Sequence, residues 1–180
     1  MDRLEQKLAE VDWKLFEKHI ISLVQNGVKA VQSTITDGAT GLISQVSIWT
    51  DVCAATSAIN FETKEHAHNS NNLHAQWLRT HAFNDEADAV SKSFKALNPA
   101  DFIYKRVAEC HHPELEVLND LLTNDVQVKI ADSYVSDQLK QVREEIIAAG
   151  LLHGLPHEST VWFGISSEKD WYDHEIGVIL

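Results

Sequence analysis

Cysteine is scarce in this sequence. Cys53 and Cys110 are the two thiols in 180 residues, and their spacing matches no metal-binding pattern. They would meet in a disulfide only if the fold brought them together by accident, so a reducing compartment is the expectation. Long apolar runs are missing too, and none approaches the roughly 20 residues that a membrane span requires. The opening residues, Met1-Asp2-Arg3-Leu4-Glu5, carry charges of both signs and no apolar segment, so no secretory signal is expected. A cytoplasmic location without membrane contact follows as the expectation. Basic residues are the third shortage: 15 against 27 acidic ones, a formal charge of −12. Nucleic acid is disfavoured as a partner, because sequence-independent affinity for it comes from Lys and Arg neutralising phosphates. Anionic membrane surfaces are disfavoured for the same reason. Such a charge suits a basic partner protein, or else it serves only to keep the chain in solution.

Catalytic signatures are also lacking. There is no Gly-x-Ser-x-Gly elbow and no His-Glu-x-x-His. Gly38-Ala39-Thr40-Gly41 is too short for a phosphate loop and has no lysine.

What is present is alternation. Val46, Ile48, Thr50 and Val52 alternate with Ser47, Trp49 and Asp51, and Ser57, Ile59, Phe61 and Thr63 alternate with Ala58, Asn60 and Glu62. A period of two is that of a strand with two different faces. Cys53 falls at the end of the first of these strands, where a cysteine behaves as a small hydrophobe. Asp37-Gly38, between Val31-Ser33-Ile35 and Leu42-Ile43, favours a further hairpin. Val161, Phe163 and Ile165 mark another strand, and residues 176–180 an added edge. The expected fold is α+β: a central, mainly antiparallel sheet of about four strands covered by several helices, in a single domain over residues 1–180.

The helical cover is read from steps of three and four. Leu4, Leu8, Val11, Leu15, Phe16, Ile20, Leu23 and Val24 form an amphipathic stripe that Asn26-Gly27 ends. Residues 62–72 are polar and aperiodic and read as a loop, after which Leu73, Trp77 and Leu78 suggest a helical turn docking an indole on the sheet. Ala87, Val90, Phe94 and Leu97 predict a helix capped by Asn84 or Asp85. Asn98 caps a second one at Pro99, continuing through Phe102, Ile103 and Val107 to His111-His112 at its C-terminus. Leu115, Leu118, Leu121 and Leu122 give another, and Leu139, Val142, Ile146 and Ala149 a last one closed by Gly150. Residues 126–130 fit a strand or a first helical turn equally.

Ten histidines raise the question of a metal. His66 and His68, two apart, would share one side of a strand, with His74 nearby; zinc needs three or four such ligands. No known spacing is present, and a histidine-rich loop is the simpler reading. His19, on the first stripe, reads as a packed residue with a satisfied ring. The most distinctive surface is the tail: Trp171 and Tyr172 stand among Glu168, Asp170, Asp173 and Glu175. Aromatic anchors with acids suit capture of a basic partner. Asp85-Glu86-Asp88 and Glu114 with Glu116 would extend the acidic field.

The order of these pieces resembles a bacterial family of uncharacterised domains of this length. The likeness is carried by a leading amphipathic helix, the block Val46-Ser47-Ile48-Trp49-Thr50-Asp51, a Trp-bearing element from Leu73 to Trp77, a helical middle and a late strand ending near Ser166-Ser167-Glu168. Some members of that family stand among immunity proteins encoded beside secreted toxins. The resemblance implies a binding protein with no catalytic residues and no cofactor, whose acidic surface occludes a cognate toxin. The alternatives are a metal-dependent hydrolase using His66, His68 and a carboxylate, and an acidic scaffold protein.

Overall fold

The computed structural model describes residues 3–36, 41–96, 98–167 and 175–180. The alternating stretch forms two antiparallel strands, β1 (Ile43–Asp51) and β2 (Thr56–Thr63). The Asp51 carboxylate turns the chain between them by accepting from the backbone N–H groups of Cys53 and Ala54, each at 2.9 Å. Such side-chain-to-backbone bonds stand in for a tight-turn signal. They place Cys53 in an exposed loop, not in the core strand expected of it.

β3 (Tyr104–His111) pairs antiparallel with β2, β4 (His157–Ser167) runs parallel to β1, and β5 (Ile176–Ile179) lies antiparallel on the outer side of β4. The order is β3-β2-β1-β4-β5, an α+β fold around a mixed, mostly antiparallel sheet. The strands expected at 161–165 and 176–180 stand where the pattern put them. β3 replaces the helix expected through Phe102, Ile103 and Val107. Its alternation is masked by a bulge at Arg106, whose φ is 44° and whose N–H reaches the Asn60 side chain at 2.8 Å.

On one sheet face, apolar rows cross three strands: Phe61, Val46 and Phe163 share one register, and Ile59, Ile48 and Ile165 the next. Two 24-residue helices cover this face, α2 (Trp13–Thr36) and α5 (Asp125–Ala148). Phe16, Ile20, Leu23, Val24 and Val31 of the first and Val135, Leu139, Val142 and Ile146 of the second are all buried there.

The leading stripe is two helices. The short α1 (Arg3–Leu8) precedes α2, and the Asp12 side chain caps α2 by accepting from Leu15 N–H at 3.0 Å. Gly27 does not end α2. It lies inside it, pressed against Ile59 and Phe61, so the glycine serves a close helix–sheet approach. The helix then runs through Val31 and Ser33, which excludes the strand expected there; Asp37 and Gly38 lie outside the described residues.

The polar stretch after β2 is the 17-residue helix α3 (Lys64–Thr80), started by Thr63, whose hydroxyl accepts from His66 N–H at 3.2 Å. It buries only Ala67, Asn71 and Ala75, which is why no apolar stripe announced it. α4 (Asn84–Ser91) follows without a side-chain cap, and Phe94 lies beyond it. Pro99–Asp101 is a single 3-10 turn capped by the Asn98 side chain. Leu115, Leu118 and Leu121 are buried on a 3-10 helix over Pro113–Leu121, whose three-residue period their spacing matches. Asn124 settles residues 126–130 as helix, because its side chain accepts from Val126 and Gln127 N–H, both at 3.1 Å. At the far end of α5, Gly150 takes φ of 62°. Among the described residues no helix is long and apolar enough to cross a membrane.

Candidate functional site

The α3–α4 hairpin has an inner face made of small residues. Asn71 secures it by donating from its amide to the carbonyls of Ser93 and Lys95 at 3.1 and 2.8 Å. A helix that packs through alanines leaves its larger side chains elsewhere. Leu73 is 68% exposed, Trp77 52% and Phe83 50%. His74, Trp77 and His81 fall at i, i+3 and i+7, on one helical face. Their rings form a ladder, with centroids 6.0 Å apart between His74 and Trp77 and 4.2 Å between Trp77 and His81. The indole expected on the sheet therefore stands outside it. α4 adds exposed Asp85 and Glu86. Asp88 is bound to Arg79 of α3 at 2.9 Å, and that guanidinium holds its carboxyl below the usual range.

Of the acidic tail, Glu168, Asp170, Trp171, Tyr172 and Asp173 lie outside the described residues. Glu175 is described and is not an open acid. Its carboxylate takes an ion pair from Lys95 at 2.9 Å and a longer contact from Gln45 at 3.4 Å. Glu114 also leaves the expected acidic patch, since it is buried, while Glu116 pairs with His111 on the surface at 2.8 Å.

His66 and His68 are helical, not extended, so a separation of two residues turns them roughly 200° apart. His66 meets Glu62 at 2.9 Å. His68 meets Asn72 at 3.1 Å and stacks on Phe94. With His74 on the outer ladder, the three do not converge.

The histidines that do converge come from distant parts of the chain. His19 projects from α2, while His112 and Glu114 follow β3, where His112 N–H is fixed to the Ala55 carbonyl at 2.7 Å. The Nδ1 atoms of His19 and His112 lie 3.0 and 3.1 Å from the same oxygen, Glu114 Oε1. The other nitrogen of His112, Nε2, lies 2.8 Å from Ser57 Oγ, which in turn is 2.7 Å from Thr50 Oγ1. His112 therefore belongs to a buried network and not to a helix C-terminus. Burial depresses its basicity and favours the neutral ring. Cys110 Sγ is 3.3 Å from the same Nε2, and burial pushes that thiol up to about 11.

Ser57, His112 and Glu114 thus have the order of nucleophile, base and orienting acid. Ser57 is 1% exposed and His112 0%, so the row is sealed from solvent and ties β2 to the turn after β3 as a buried polar network. Sequence reading missed it because 93 positions separate His19 from His112 and 55 separate Ser57 from His112. Comparison with protein families, with curated proteins and with solved structures finds no match.

Proposed function

We propose that this chain is a binding protein of the immunity type, which neutralises a cognate bacterial toxin by covering that toxin's basic active cleft. The observation that carries the reading is the α3–α4 hairpin, where exposed Leu73, Trp77 and Phe83 accompany Asp85 and Glu86 in a chain of charge −12. Aromatic side chains that bury on contact supply most of an interface's affinity, and surrounding acids steer a basic surface into register. Scattered apolar residues are ordinary on a surface, but a group of them on one element marks an interaction site. Asn71 ties α3 to the chain that follows α4, and the exposed Arg79–Asp88 pair links the two helices, so the backbone that carries the anchors is ordered before binding. No bond is made or broken; the inhibitor excludes the toxin's substrate.

The test is protection of growth. Cells expressing the toxin encoded beside this chain's gene should survive when the chain is co-expressed, and the double variant Leu73→Ala, Trp77→Ala should abolish survival while remaining folded. A wild-type chain that gives no protection overturns the immunity reading. Survival lost with Trp171→Ala but kept with the hairpin variant would overturn the hairpin as the contact surface and move it to residues 168–175.

A further inference from the structure

We propose that His19, His112 and Glu114 form a binding site for a divalent transition-metal ion of the zinc class. These residues bring one ligand atom each to within 4.8 Å of one another. A tetrahedral ion with bonds of about 2.0–2.1 Å sets its ligands about 3.3 Å apart. The two measured edges, from His19 Nδ1 and from His112 Nδ1 to Glu114 Oε1, are 3.0 and 3.1 Å. Two imidazoles and a carboxylate suit zinc and its borderline neighbours better than magnesium or calcium, which prefer oxygen alone.

A second observation points the same way. Glu114 is nine-tenths buried, and its Oε2 has no hydrogen-bond partner among the described residues. Both imidazoles crowd onto Oε1, leaving the other oxygen desolvated and unused. A cation set between the three groups neutralises the buried carboxylate.

The surroundings supply what a metal-bound histidine needs. Coordination through Nδ1 requires the proton on Nε2 and an acceptor for it, and Ser57 Oγ lies 2.8 Å from His112 Nε2. Access comes from one side. The His19 side chain is 32% exposed, whereas those of His112 and Glu114 are 0% and 3%. The ion enters past His19, and a water completes the tetrahedron there. Such an ion joins α2 to the junction after β3, and it binds independently of any partner at the α3–α4 hairpin.

The experiment is zinc titration of the chelator-stripped full chain by competition with a zinc dye, with cobalt as a spectroscopic substitute. The wild type should take up one equivalent, show the visible bands of tetrahedral cobalt, and gain thermal stability with added zinc. His19→Ala, at a half-exposed position, and Glu114→Gln, nearly the same shape, should each weaken zinc by at least about 100-fold, since even outer-shell changes cost 10–100-fold. Ser57→Ala should weaken it by about 10–100-fold while keeping the cobalt bands. His66→Ala should leave binding unchanged. In the wild type, the imidazole nitrogen NMR signals of His19 and His112 should move on zinc addition, a readout that needs no variant. No zinc uptake by the wild type, or equal uptake by His19→Ala and Glu114→Gln, overturns the site.

Discussion

Gly27 of α2 lies so close to Ile59 of β2 that a β-carbon on the glycine would stand 2.6 Å from Ile59 Cγ2. Ile59 is fully buried, and its β-branched side chain has little rotamer freedom with which to yield. Replacing a mid-helix glycine with alanine ordinarily stabilises by up to about 1 kcal/mol. Here overpacking costs about 1–3 kcal/mol, so Gly27→Ala should be destabilising by up to about 2 kcal/mol. Urea unfolding would show it as a lower midpoint with an unchanged slope.

The Asn124 side chain caps the start of α5, with Gln127 accepting from Thr123 N–H in front of it. Asn124 Oδ1 satisfies two backbone N–H groups that the helix leaves open. Asn124→Ala should cost about 1 kcal/mol, and Asn124→Asp or Asn124→Ser much less. Thermal unfolding of the three variants compares them directly.

The two thiols should react at different rates. Cys53 is exposed, whereas Cys110 is half-buried beside His112 with its thiol pushed up to about 11. The thiolate is the reactive form. At neutral pH a maleimide or disulfide reagent should modify Cys53 quickly and leave Cys110 largely untouched until the chain unfolds, as peptide mass spectrometry would read.

Glu62 has no exposed surface, and burial raises its carboxyl above the ordinary 4.5, against smaller opposing effects from His66 and the Thr63 N–H. The folded state thus holds this proton more tightly than the unfolded one. Its contribution to stability is full below pH 4.5 and is lost as pH rises through the raised folded value. Glu62→Gln cannot titrate and keeps an acceptor for Thr63 N–H. Relative to wild type it should gain stability with rising pH in that window, by at most about 1.4 kcal/mol per unit. Denaturant midpoints of both proteins across acidic pH would show the curves separating upward from pH 4.5.

The sheet was legible where the two strand faces differ in polarity, since both faces of β1 and β2 are largely buried. Residues 46–63 and 161–165 alternate because one face meets α2 and α5, and α5's later stripe reads for the same reason. The signal failed where packing is done by small or polar groups. α3 buries two alanines and an asparagine, so its sequence looks like a loop. β3 is broken by Arg106, and Gly27 looks like a stop although it is a contact. The hairpin surface was read only in part: Asp85 and Glu86 were expected in the acidic field, whereas the aromatics expected beside acids were Trp171 and Tyr172, outside the described residues, and Trp77 was expected on the sheet. His19, His112 and Glu114 share no local pattern, because only the folded topology brings α2 against the end of β3.

Trp77 is the residue on which the proposed function turns. Calorimetric titration of the cognate toxin with wild type and with Trp77→Ala tests it most directly. The account predicts one-to-one binding whose affinity weakens as salt rises, a loss of at least about 30-fold in affinity for the variant, as befits a hot spot, and an unfolding midpoint close to wild type. Equal affinity for the two proteins, with both folded, would contradict it.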